Sequence, residues 1–179
     1  MQIEPFRIQV SDAALQDLRE RLARTRFPDA IADAGWTYGT DLAYAKELVA
    51  YWRERYDWRA AEARLNAFHH FRARVGGLGI HFIHERGVGP KPLPLVVTHG
   101  WPGSVAEFTK VIGPLTDPAR HGGDPADAFD VVAPSMPGYG FSEAAHAPGM
   151  DAERIAALWA ELMAGLGYRR FGAQGGDWG

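Results

Sequence analysis

Gly175-Gly176-Asp177-Trp178-Gly179 stands at the end of the 179-residue sequence, and its reading decides the fold. The string has the form Gly-x-Nu-x-Gly, with aspartate at the reactive position. Residues 168–174 before it read as a strand. A strand running into this pattern is the context of a sharp strand-to-helix turn that lifts a reactive side chain out of a sheet. The flanking glycines are required because side chains there would collide with neighbouring backbone. The N-terminus of a following helix would favour the ionised carboxylate. Taken alone, the five residues also read as glycines at a frayed terminus, so both readings stay open at this point.

Two upstream segments bear on the choice. Leu93-Pro94-Leu95-Val96-Val97-Thr98 is a short apolar run of the kind a buried strand shows, and it leads into His99-Gly100-Trp101-Pro102-Gly103-Ser104. In a sheet with such an elbow, an amide on this loop forms half of an oxyanion hole. The amide after the nucleophile, here that of Trp178, forms the other half. The alternative is a plain Gly/Pro turn. Pro137-Gly138-Tyr139-Gly140-Phe141-Ser142 follows the strand expected at 129–133, and by itself it reads as a turn.

The rest of the chain divides near residue 67. Residues 1–66 read as helical by period. Ser11 caps a helix with Leu15, Leu18 and Leu22 on one face, and Phe27-Pro28 stops it. Thr40 or Asp41 opens a second helix carrying Leu42, Ala45, Val49, Trp52 and Tyr56, and Asp57 caps a third that runs through Leu65. Residues 68–75 and 78–85 form a hairpin across Gly76-Gly77. Helices are expected at 104–115 and after Asp151, the latter with Ile155, Leu158, Leu162 and Leu166 at helical spacing and Gly165 and Gly167 at its end. Strand and helix therefore alternate after the hairpin. The fold class is α/β, with a mostly parallel sheet opened by an antiparallel hairpin.

Composition removes several classes of function. The formal charge is −3 and no basic block occurs, so there is no electrostatic footprint for nucleic acid or anionic lipid. Cysteine is absent, which excludes disulfides, thiolate catalysis and sulfur-ligated zinc, and fits a reducing cytoplasm. The first residues do not form a signal peptide, and no apolar stretch approaches the ~18–20 residues of a membrane span. The expected molecule is a cytoplasmic protein without metal or cofactor.

Together, HGWPGS at 99–104 and GGDWG at 175–179 resemble the epoxide hydrolases of the microsomal type, within the α/β-hydrolase superfamily. Pro5-Phe6-Arg7-Ile8, Thr25-Arg26-Phe27-Pro28-Asp29, Trp36-Thr37-Tyr38-Gly39-Thr40-Asp41 and Tyr51-Trp52-Arg53 resemble the same family's N-terminal region. The resemblance implies a helical wrapping segment at 1–66, within an N-terminal domain reaching to about residue 112, and the first half of the hydrolase core at 67–179. It implies that Asp177 attacks an epoxide carbon, that the amides of Trp101 and Trp178 hold the oxyanion, and that His99, Gly100, Pro102, Gly175 and Gly176 shape the two turns. The partners so implied are a small-molecule epoxide and water. Cap tyrosines, the acid and the histidine are expected beyond Gly179, so the chain by itself is expected to be a fragment without turnover. Its terminal carboxylate is expected to raise the Asp177 pKa, and the nucleophile strand is expected to form an exposed edge.

Two alternatives are kept. A haloalkane dehalogenase also uses aspartate at this elbow, although it usually carries asparagine where this chain has Trp101. A non-catalytic truncated remnant is the other. The remaining candidates are structural. His81 and His84 fall on opposite faces of a strand, as do His69 and His70. His99 is expected to hydrogen-bond within its loop, Trp36, Trp52 and Trp58 to pack, and Trp159 to be core.

Overall fold

The structure, a computed structural model, describes residues 1–179. It forms two compact units, one of residues 8–63 and one of residues 1–7 with 64–179.

The first unit holds α1 (Asp12–Ala23), α2 (Leu42–Glu54) and most of α3 (Trp58–Leu65). Each helix is capped as the sequence implies. Ser11 accepts from the Ala14 amide at 3.2 Å and Asp57 from the Ala60 amide at 3.0 Å. Asp41, not Thr40, caps α2, accepting from Tyr44 at 2.9 Å. Glu62 ties α3 to the start of α1. Its buried carboxylate accepts from the Val10 amide at 2.7 Å, from Arg59 at 2.8 Å and from the Trp58 indole at 3.3 Å. Those donors, the Val10 amide foremost, hold the Glu62 pKa below the usual carboxylate range. Trp36 packs on Tyr44, with ring centroids 5.1 Å apart, but neither it nor Trp52 is buried. They are 61% and 46% exposed, on a helix and loop face that also shows Tyr44, Leu48 and Tyr51 to solvent. Trp58 is half-buried on Glu62 as expected.

The second unit is a six-stranded sheet. Its strands are β1 (Ile3–Phe6), β2 (His70–Val75), β3 (Leu78–Glu85), β4 (Leu93–Thr98), β5 (Phe129–Pro134) and β6 (Gly172–Gly175), in the spatial order β1-β2-β3-β5-β4-β6. The hairpin turns at Gly76 and Gly77, with φ of 54° and 85°, values only glycine adopts readily. Strands β4, β5 and β6 are parallel. The sheet as a whole is mixed, because β3 joins β5 antiparallel and β1 extends the hairpin. β1 corrects the expectation of helix from the first residue. Pro5 has no N–H to donate, which suits an outer strand, and pairing to a segment some 67 residues away has no local signature.

Alternation along the strands sends neighbouring residues to opposite faces. Phe82, Val96 and Val132 pack with Leu158, Trp159, Leu162 and Met163 of α5 (Ala152–Gly165). Ile83, Val97, Val131 and Ala133 pack on the other face with Val105, Phe108 and Ile112. Trp159 is core as expected. The helix expected at 104–115 is instead a 3-10 turn, Val105–Phe108, followed by the short α4 (Ile112–Thr116). Pro114 has no N–H to donate to residue 110, so it fits the first turn of α4 but disfavours a continuous helix running into it from 104. β6 begins four residues later than expected. Tyr168 is drawn off by a hydrogen bond to Asp130 at 2.7 Å, with Arg86 donating to the same carboxylate at 3.0 Å.

Candidate active site

β4 and β6 are parallel neighbours, with Thr98 opposite Gly175. Their following loops therefore leave the sheet side by side at the carboxyl ends of the strands, where β5 and β6 lie on either side of β4. Such a switch point is where open α/β sheets bind ligands. The first loop carries His99, Gly100, Trp101 and Pro102, with a cis Trp101–Pro102 peptide, and the second carries Gly176, Asp177 and Trp178.

The loops meet at a carboxylate. The Trp101 amide donates to Asp177 Oδ1 at 2.9 Å. Asp177 has φ of 58°, in the left-handed region that non-glycine residues enter at a cost of about 1–3 kcal/mol. The motif glycines are sterically required. A Cβ on Gly175 would lie 2.2 Å from the Gly179 backbone, and one on Gly179 would lie 2.2 Å from the Thr98 carbonyl oxygen. On the facing loop, a Cβ on Gly100 would lie 2.6 Å from Asp177 Cβ. Gly176, in contrast, has open space beside it.

The amides of Trp101 and then Trp178 hold the Asp177 pKa below the usual aspartate range, against a smaller opposing effect of burial. The direction is opposite to the expected rise, because two backbone dipoles aimed at the carboxylate outweigh its burial. β6 does lie at the edge of the strand order.

His99 is buried and takes the structural role expected of it. Its Nε2 accepts from the Met136 amide at 3.1 Å, which puts the proton on Nδ1, 3.0 Å from the Gly100 carbonyl oxygen. It thereby couples the β4 loop to the segment after β5. Glu107 supports the same loop. Its Oε1 accepts from the Ser104 amide at 3.2 Å, while Ser104 Oγ caps Ala106 at 3.2 Å. The Ser104-x-x-Glu107 spacing is a capping-box signature visible in the sequence.

A cavity of about 480 Å³ lies against Trp101 and Trp178, the residues that donate to Asp177, and is also lined by Met136, Pro137, Tyr139 and Ile155. Asp177 itself lines a second cleft of about 390 Å³, together with Thr98, Gly103 and Glu107. The wall formed by residues 136–139 is the part that a turn reading of the Pro137-Gly138-Tyr139-Gly140 segment does not anticipate. Its position after a parallel strand was the available signal.

The other histidines separate as expected. His84 Nε2 meets the Tyr168 hydroxyl at 3.0 Å on the α5 face, whereas His81 meets Ser135 and His70 on the opposite face. His69 is exposed and pairs with Glu85 at 3.0 Å.

A sheet of this topology, with an acidic residue at a strained strand end facing a loop amide, defines an α/β hydrolase. The family model described as alpha/beta hydrolase fold matches residues 94–179, and the model described as epoxide hydrolase N terminus matches residues 3–108. The chain belongs to the epoxide hydrolase family. It is 53% identical over 177 residues to a relative from Stigmatella aurantiaca, covering 99% of this chain and 40% of that one. It is 41% identical over 181 residues to epoxide hydrolase 1 of Oryctolagus cuniculus, with the same shares covered. The crystal structure of juvenile hormone epoxide hydrolase from the silkworm Bombyx mori superposes with a TM-score of 0.85 at 36% identity, over 99% of this chain and 47% of that one. The chain thus spans about 40% of the length of these two sequence relatives. No helix in it is long and apolar enough to cross a membrane.

Proposed function

We propose that Asp177 is the nucleophile of an epoxide hydrolase that opens an epoxide to a vicinal diol through an enzyme ester. The observation that carries this reading is the 2.9 Å hydrogen bond from the Trp101 amide to Asp177 Oδ1. It leaves Oδ2 as the attacking oxygen. Oδ2 forms a bond to an epoxide carbon, the ring C–O bond breaks, and the electron pair passes to the epoxide oxygen, which takes up a proton. The product is an alkyl ester whose carbonyl oxygen is Oδ1.

Water then adds to the ester carbonyl carbon and loses a proton. Negative charge collects on Oδ1, at the amides of Trp101 and Trp178, and each such donor is typically worth about 3 kcal/mol to the transition state. Collapse restores the carboxylate and expels the diol. Aspartate suits a saturated electrophile because the ester carbonyl formed belongs to the enzyme and is open to water. The acid–histidine pair that activates this water and the donors to the epoxide oxygen are assigned to the share of the full-length protein outside residues 1–179. The substrate's hydrocarbon part occupies the cavity bounded by Trp101, Met136, Tyr139 and Trp178. The reading includes a cytoplasmic location, supported by a sequence free of cysteine.

The test is rapid-quench mass spectrometry of the full-length protein with an aryl epoxide. An adduct of the epoxide's mass on the peptide containing Asp177, absent in Asp177→Ala, is expected. An adduct elsewhere overturns the assignment, and halide release from a haloalkane in place of diol formation favours a dehalogenase.

A further inference from the structure

His70, His81 and Ser135 are buried on the sheet face opposite α5, and the chemistry above uses none of them. They form one row. His70 Nε2 faces the Leu65 carbonyl oxygen at 2.7 Å, His70 Nδ1 faces His81 Nε2 at 2.9 Å, and His81 Nδ1 faces Ser135 Oγ at 2.9 Å. A carbonyl only accepts, so His70 carries its proton on Nε2. Burial holds both rings neutral, and pushes His81 down to about 3. His70 Nδ1 is then bare, His81 donates from Nε2, and His81 Nδ1 accepts from the Ser135 hydroxyl. One backbone carbonyl thereby orders every proton in the row. The rings of Phe6 and Phe141 pack against His81 at 5.1 and 5.3 Å and keep water from competing.

The row ends on the segment that forms the cavity wall. His81 also holds Ser135 through its backbone, because the Ser135 amide donates to the His81 carbonyl oxygen at 2.9 Å. Ser142 closes the segment from its far end. Its hydroxyl donates to the Ser135 carbonyl oxygen at 2.7 Å and accepts from the His81 amide at 2.9 Å. Between these anchors, Tyr139 donates to the Met136 carbonyl oxygen and Ser142 to that of Tyr139. Met136, Pro137 and Tyr139 are the residues presented to the cavity.

We propose that His81, acting through Ser135, is a positioning residue that fixes the 136–139 wall and so sets the enzyme's preference for bulky apolar epoxides. This rests on the reading of the cavity as the substrate site.

Two substitutions in the full-length protein separate positioning from mere stability. Asparagine at 81 retains an acceptor near the place of Nδ1 and loses the donor to His70. Glutamine retains a donor near the place of Nε2 and loses the acceptor for Ser135. Each removes one hydrogen bond, so a purely structural role affects both alike. The readouts are amide hydrogen exchange at Met136, Tyr139 and Ser142, and the ratio of kcat/KM for styrene oxide to that for propylene oxide. His81→Gln and Ser135→Ala are expected to speed exchange and lower the ratio by about tenfold, the value of one buried hydrogen bond, with His81→Asn close to wild type. Equal behaviour of His81→Asn and His81→Gln, or wild-type exchange and ratio in Ser135→Ala, overturns the proposal. Failure of the wild type to convert either epoxide overturns the reading of the site instead, while exchange still decides whether His81 anchors the wall.

Discussion

The Trp101 amide and the Asp177 carboxylate meet at 2.9 Å although 76 residues separate them in sequence. The parallel register of β4 and β6 brings them together, with Thr98 opposite Gly175. Both loops then have a fixed starting point, and the glycines at 100, 175 and 179 allow the final close approach. The pair is positioned before any substrate arrives, which is what makes an amide effective against developing charge.

Gly100→Ala tests that close approach. The added methyl would sit 2.6 Å from Asp177 Cβ and 3.0 Å from Oδ1, and must displace the carboxylate from the Trp101 amide. In the full-length protein, kcat is expected to fall on the order of 10²-fold, as for loss of one oxyanion donor. Steady-state kinetics with an aryl epoxide, alongside a melting curve to check folding, measure it.

Glu107→Ala tests the support of the Trp101 loop. It removes the acceptor for the Ser104 amide and half of the capping box. A drop in kcat of about tenfold is expected, with activity restored in Glu107→Gln, which keeps the acceptor oxygen. Equal losses in both variants would show that charge, and not the hydrogen bond, is what matters.

Tyr168→Phe addresses the opposite end of the strands. The hydroxyl donates to Asp130 and meets His84, and Arg86 also donates to it. Its removal deprives a largely buried carboxylate of one donor and should destabilise the fold by about 1–3 kcal/mol. Because Asp130 lies at the start of β5, away from Asp177, kcat should be unchanged. Denaturant melts and kinetics on the same preparation separate the two effects.

The buried histidines set a pH dependence. His81 titrates at about 3 in the fold, with burial as the main cause and His70 and Arg72 beside it, against about 6.5 when unfolded. A base whose pKa is depressed by folding contributes stability that is complete above the unfolded value and lost as pH falls below it. Between pH 6.5 and 5 the unfolded state binds the additional proton, so stability should drop by about 2 kcal/mol from His81 alone. Melting temperature against pH measures this, and His81→Asn should flatten the curve by about one proton's worth of slope.

Much of this architecture is legible locally. The hairpin at Gly76-Gly77, the caps at Ser11, Asp57 and Asp151, and the short apolar runs of β4 and β5 each carry their own signal in adjacent residues. The Asp177 turn is equally local, and the loop amide facing it follows from strand order. What is not legible depends on pairing at a distance. β1 contains a proline and exists because β2 receives it. The His70–His81–Ser135 row needs two strand positions and the residue just after β5 in register, and no one of them is unusual in sequence. Trp36 and Trp52 look like core residues by type, yet they remain exposed here. Residue type alone does not determine which apolar faces are covered.

An ester through Asp177 has a consequence for oxygen atoms that direct hydration of an epoxide lacks. On the proposed mechanism the new oxygen of the diol would come from the Asp177 carboxylate, and the water oxygen would stay on the enzyme. A single turnover of the full-length protein in ¹⁸O-water, with enzyme in excess over epoxide, should therefore release unlabelled diol and leave ¹⁸O on the peptide containing Asp177. Label in the diol with none on that peptide would contradict nucleophilic attack by Asp177.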